Sequence, residues 1–209
     1  MKTNILFLKT DIELDKAYEK RLEKIIRNTA EEAAKILNLK EDNLNFTVYT
    51  YNGRVIDGFT QALDWIRLSV PKKVNGIELR GVIYHEMCHI AMDYSYYSVR
   101  KNFLETLFAE GLAVVFEIKH TGRIPRYVRY NNTFIKKWLS ELRKQNLLSF
   151  KFDYYKWFHG TGDLPKYLGY KLGRYLTEKI KNNFPDLTIQ DLMKKNAKEL
   201  LKLSIWKYK

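Results

Sequence analysis

The sequence predicts an α+β fold, a small mixed or antiparallel sheet followed by a mainly helical half, on three observations. Between Leu44 and Val70, three short stretches alternate apolar with polar residues and are rich in β-branched and aromatic types. Beyond the break at Pro71 to Gly76, apolar residues recur every three to four positions almost to the end of the chain. No internal repeat, low-complexity segment or flexible linker separates the halves. The 209 residues, 45% hydrophobic, are therefore expected to form one domain with sub-lobes 1–94 and 95–209.

The elements follow in order. "NILFLKT" reads as a short buried strand, and "TDIE", with Thr10 as N-cap and Glu13 three residues on, predicts a helix from there to Leu37. Its positions Ile12, Tyr18, Leu22, Ile25 and Ile26 form one apolar stripe. The strands "LNFTVYTY", "RVIDGFT" and "WIRLSV" come next. Asn75 and Glu78 then mark a second box-like helix start, and that helix runs to Tyr94. A turn over Ser95 to Lys101 leads to a helix capped by Asn102 with Glu105 and stopped at Gly122. Further helices are expected over 133–145, 164–183 and from Thr188 to the end, with an aromatic loop between Leu147 and Gly162.

Composition narrows the function classes. The formal charge of +13 comes from basic residues spread along the chain without a dense Lys/Arg block, and no nucleic-acid-binding motif is present. This predicts general attraction to polyanions and no specific nucleic-acid partner. The only apolar run near the start, Ile5 to Leu8, is too short for a signal core or a membrane span, so neither export nor membrane insertion is expected. A single cysteine, Cys88, rules out an intrachain disulfide and fits the cytoplasm. It reads as small apolar packing.

Chemistry concentrates in "GVIYHEMCHIAMDY". On a helix, His85 and His89 lie on one face about 6 Å apart, so both rings reach one ion. Glu86, turned about 100° away, ligates poorly but stands beside a water on that ion. This is the HExxH pattern, and a catalytic zinc site requires a third protein ligand and an open position. The alternative is a helix whose two histidines are satisfied by backbone or water.

"FAEGLAVVFE" supplies the missing group. Glu110 sits in an otherwise apolar predicted helix, where a carboxylate costs several kcal/mol unless a cation or hydrogen bonds compensate it. A divalent metal compensates it. If this helix packs back antiparallel to the first, Glu110 comes level with the histidines.

HEMCH followed by EGLA resembles the gluzincin zinc peptidases. More narrowly, it is similar to the bacterial predicted zinc-dependent proteases first catalogued as a domain of unknown function. "LPKYLGYKLGRYL" and the upstream "DGFTQALDWIRLSV" match that family in the same order, so the resemblance covers Gly58 to Leu176. It implies a zincin-like (thermolysin-like) fold and one Zn2+ per chain. His85, His89 and Glu110 would be the ligands, with Glu86 as general base in peptide-bond hydrolysis.

In thermolysin-like relatives an aspartate four residues after the third ligand supports a histidine. Val114 stands there in this chain, leaving Asp93, Glu105 and Glu117 as candidates for that role. Tyr170 follows Gly169 in a predicted helix, where glycine is disfavoured unless something must approach closely. With the family's Gly-Tyr, this makes Tyr170 the candidate oxyanion donor and His159 the alternative. His120 reads as a helix C-terminal residue favoured by the dipole.

The resemblance predicts a peptide or protein substrate. "RVIDGFTQA" is a candidate edge strand to which an extended peptide would add. No Gly-x-Met-x-Asn segment is present to anchor a free amino terminus, which favours an endopeptidase. Two other readings remain open: a zinc hydrolase of a non-peptide amide, and a basic polyanion-binding protein with structural histidines.

Overall fold

The computed structural model describes residues 2–8, 10, 12–96 and 101–204. The chain divides into two compact units, Met1–Ser98 and Val99–Lys209.

The first unit holds strand β1 (Lys2–Phe7), helix α1 (Lys16–Leu37), strands β2 (Asn43–Tyr51), β3 (Asp57–Ala62) and β4 (Trp65–Pro71), and helix α2 (Gly76–Ala91). The sheet is mixed, in the order β1-β2-β4-β3. β1, β2 and β4 run parallel, with Ile5 opposite Phe46 and Val48 opposite Leu68, while β3 is an antiparallel edge strand. Alternation decides which face is apolar: Leu44, Phe46, Val48, Ile66, Leu68 and Val70 are all buried. α1 packs along α2 and reaches β1, and α2 lies against β3. α2 is enclosed on nearly every side, every residue from Ile83 to Ile90 being buried. That is how the polar triplet of the motif comes to sit in the interior.

The expected start of α1 needs correction. It begins at Lys16, capped by Asp15, whose carboxylate accepts from Tyr18 N at 2.8 Å. The Thr10 hydroxyl is committed instead to Thr50 Oγ1 at 2.6 Å and to the backbone of Ile12. A partner from β2 therefore removes Thr10 from capping. β3 also starts later than expected, because residues 52–56 form a turn held by Tyr51 Oη donating to Val55 O. The expected turn over Ser95 to Lys101 falls partly outside the described residues.

The second unit is helical among its described residues. α3 (Phe103–Thr121) carries the expected capping box, Asn102 with Glu105, and ends at Gly122 with φ 67°. After a short 3-10 turn, Arg126–Val128, come α4 (Asn132–Arg143) and a five-residue π-turn, Tyr155–His159. The remaining helices are α5 (Leu168–Asn183), α6 (Ile189–Met193) and α7 (Ala197–Leu203). α5 starts at Leu168 rather than 164, after Pro165 and a left-handed Tyr167. The predicted final helix is two helices, because Thr188 with Asp191 and Asn196 with Glu199 each open a separate one. Its last expected residues, beyond Ser204, lie outside the described ones.

α3 and α5 cross at a pair of glycines. A Cβ on Gly111 would stand 2.4 Å from Gly173 C and O, and one on Gly173 would stand 2.3 Å from Leu107 O. Backbone contact this close requires both residues to lack a side chain. No described helix is long and apolar enough to cross a membrane.

Candidate metal centre

α2 presents the two histidines one turn apart. The His85 and His89 ring centroids are 4.8 Å apart and the rings meet edge to face, at 7% and 5% exposure. The His89 ring also packs on Tyr94, centroids 4.9 Å apart, just after the end of α2. Glu86 is buried between them in sequence, and its Oε2 accepts a 2.8 Å hydrogen bond from Thr60 Oγ1 of β3. β3 lies directly on this side chain: a Cβ at Gly58 would stand 2.8 Å from Glu86 Cγ and 3.0 Å from its Oε1. Gly58 and Thr60, two apart on one strand face, thus provide space and a donor for one carboxylate.

Glu110 is 3% exposed in α3, among Leu107, Phe108, Leu112 and Val114. Its Oε1 accepts from Tyr154 Oη at 3.3 Å, and Tyr154 Oη lies 3.4 Å from Tyr170 Oη. His85, His89 and Glu110 each offer a ligand atom, and these atoms lie within 4.8 Å of one another. Two imidazoles and one carboxylate, all buried, are donor types that a three-ligand zinc site uses.

A family model described as predicted Zn-dependent protease (DUF2268) matches residues 14–202. The chain belongs to this family. No curated protein and no solved structure matches it. The family's metal is zinc, which the buried His85, His89 and Glu110 group is able to bind, and its name implies peptide or protein substrates.

Beyond the three expected ligands, the expected helper residues lie in different settings. Tyr170, in the first turn of α5 rather than mid-helix, is half-buried beside Tyr154. Gly169 is required there because a Cβ would meet the Phe158 ring at 2.5 Å. His159 is exposed, its ring centroid 5.6 Å from that of Tyr154. Of the candidates for supporting a histidine, Asp93 is exposed with φ 51°, and Glu105 accepts from Asn102 N in the capping box. Glu117 is buried and accepts from Tyr127 Oη at 2.9 Å. Val114 is fully buried. Cys88 is fully buried, and His120 packs on Phe116 in the last turn of α3.

Sequence reasoning missed two residues, Thr60 and Tyr154. Thr60 had a usable signal, since it falls two positions after Gly58 in a predicted strand beside the metal helix. Tyr154, one of fifteen tyrosines, had none.

Proposed function

We propose that this protein is a zinc endopeptidase of zincin-like fold, acting as one catalytic domain, in which His85, His89 and Glu110 hold the metal. The observation that carries the reading is the gathering of two imidazoles and a buried carboxylate, with an adjacent glutamate whose far oxygen is already held. Zinc, when bound in such a site, supplies a Lewis acid that lowers the pKa of water toward about 7 and polarises a carbonyl. Glu86 is the general base: with Oε2 fixed by Thr60, it takes a proton at Oε1 and returns it to the leaving amine. Tyr170 donates a hydrogen bond from its phenol to the developing oxyanion, and His159 is the alternative donor.

The edge position of β3, against the α2 helix, supports binding of an extended peptide as an added strand. Thr60 O currently accepts from Tyr96 N, so that bond marks the group such a peptide displaces. The single cysteine of the sequence, the buried Cys88, supports a cytoplasmic setting.

The test is a peptide-library digestion read by mass spectrometry, comparing the natural protein with Glu86→Gln. We expect the variant to keep about one zinc per chain and lose cleavage by on the order of a thousandfold. Unchanged cleavage removes Glu86 from the mechanism, and a purified protein that takes up no zinc removes the metal site.

A further inference from the structure

The net charge is not shared between the units. Of 37 Lys and Arg and 24 Asp and Glu residues, Met1–Ser98 holds 14 of each. The remaining 23 basic and 10 acidic residues, and hence the entire charge of +13, belong to Val99–Lys209. This is the unit that contributes Glu110, Tyr154 and Tyr170.

Within it, the surroundings of Tyr170 are phenolic and cationic. The Tyr170 ring meets Tyr127 at 5.4 Å and Tyr167 at 6.2 Å between centroids, and Tyr154 lies within 6.0 Å of Tyr155. Each of these tyrosines except Tyr154 has a basic neighbour in sequence. Arg126 precedes Tyr127, Lys156 follows Tyr155, Lys166 precedes Tyr167 and Lys171 follows Tyr170. Lys171 is turned to Lys166 O, at 2.8 Å, and to the Phe134 ring. Arg126 and Lys166 are exposed, Lys156 is half-buried, and none of the three enters an ion pair among the described residues. The lysine-bearing segments are held together, since Gly160 packs so closely on the Lys166 backbone that a Cβ there would stand 2.5 Å from Lys166 Cα.

Three acids in and beside residues 123–171 accept hydrogen bonds, and one of them, Glu178, also pairs with a cation. Glu117 accepts from Tyr127, Glu178 from Tyr130 and Arg174, and Asp153 from Lys156 N. Asp163 is the exposed acid of the intervening turn. Hydrogen bonds from neutral donors leave Glu117 and Asp153 charged, yet residues 123–171 hold eleven basic and three acidic residues, so the segment that bears these tyrosines is net cationic.

We propose that the enzyme selects acidic polypeptides, with Arg126, Lys156 and Lys166 receiving substrate carboxylates near the cleaved bond; this rests on the peptidase reading above. Lysine and arginine so placed concentrate anionic substrate and raise encounter rates, an effect that salt screens. A polypeptide fits better than a nucleic acid because the same cationic segment carries Tyr170 and Tyr154, and Tyr154 bonds Glu110.

The test digests a random peptide library with the full-length zinc-loaded protein at low and at physiological salt. Acidic residues should be enriched on the order of tenfold near cleavage sites, the preference shrinking as salt rises. Combined Arg126→Gln, Lys156→Gln and Lys166→Gln changes should abolish the preference while neutral peptides are still cut. Absence of enrichment, or enrichment that survives the triple change, overturns the proposal. If the triple variant melts early, Lys166→Gln alone across the salt series takes its place. If no peptide is cut, the peptidase reading fails separately, and fluorescence anisotropy of a labelled oligoglutamate on the Glu86→Gln protein decides. Binding weakened about tenfold by the triple change supports the cationic site. Unaltered binding, or tighter binding of a single-stranded oligonucleotide, overturns it.

Discussion

The two helices that carry the proposed ligands solve the same problem by different means. α2 carries both histidines and Glu86 within five residues, and its support comes from a strand: Thr60 bonds Glu86 and Gly58 makes room for it. α3 carries a single proposed ligand, Glu110, and its support comes from the phenol of Tyr154, just before the π-turn, and from a glycine crossing with α5. Clustered ligands on one turn preorganise one another through helix geometry, whereas a lone ligand depends on how its whole helix is seated. Disturbing α2 should therefore impair chemistry locally, and disturbing α3 should act through metal affinity and folding.

The largest expected effect breaks the α3 side outright. Glu110→Ala removes one of the three proposed ligands, and loss of a stoichiometric zinc, measured by atomic absorption, should accompany loss of cleavage. His85→Ala should do the same. Zinc retained at full occupancy in Glu110→Ala removes this carboxylate from the site and leaves α2 as the sole ligand helix.

Next comes the helix crossing. Gly111→Ala drives a methyl group into the Gly173 backbone, and separating the helices should cost about 3 kcal/mol, roughly two decades in the folding equilibrium. Urea denaturation of the zinc-free protein measures it. A loss below about 1 kcal/mol shows that α3 shifts freely, so that its seating does not govern Glu110.

These contrasts explain what was legible in advance. Asn75, the Asn102–Glu105 box and Gly122 were readable because a cap is satisfied within three or four residues of itself. His85 and His89 were readable for the same reason, their geometry being that of one helical turn. Glu110 showed itself as an isolated charge in an apolar run. The Thr10 box failed because its hydroxyl is taken by Thr50, forty positions away. Tyr154 was unreadable as a partner because its bond to Glu110 spans 44 residues, whereas Thr60, whose bond to Glu86 spans 26, left only the indirect signal of Gly58 on the same strand face. The charge partition escaped notice because it becomes visible only when the boundary near Ser98 is known.

Sharpening the comparison requires variants that leave both ligand sets intact. Thr60→Val keeps strand shape but deletes the donor to Glu86 Oε2. Losing a hydrogen bond to a charged group of about 1.5 kcal/mol should lower kcat by about tenfold, with zinc affinity unchanged. A fall in zinc occupancy here contradicts the assignment of Thr60 to the base alone.

Tyr154→Phe is the reciprocal and smaller test. The ring still stacks on Phe158, 4.7 Å between centroids and 14° between planes, so packing is preserved while the hydroxyl is lost. At 3.3 Å its bond to Glu110 is long, and removing it should cost about 1 kcal/mol, or about fivefold in zinc affinity by competition with a chelator. Because the same hydroxyl lies 3.4 Å from Tyr170, kcat should fall by a similar factor even at saturating zinc. Lower zinc affinity with unchanged kcat confines Tyr154 to holding the ligand. The reverse pattern makes it a partner of Tyr170 and places its contribution with the chemistry of the oxyanion.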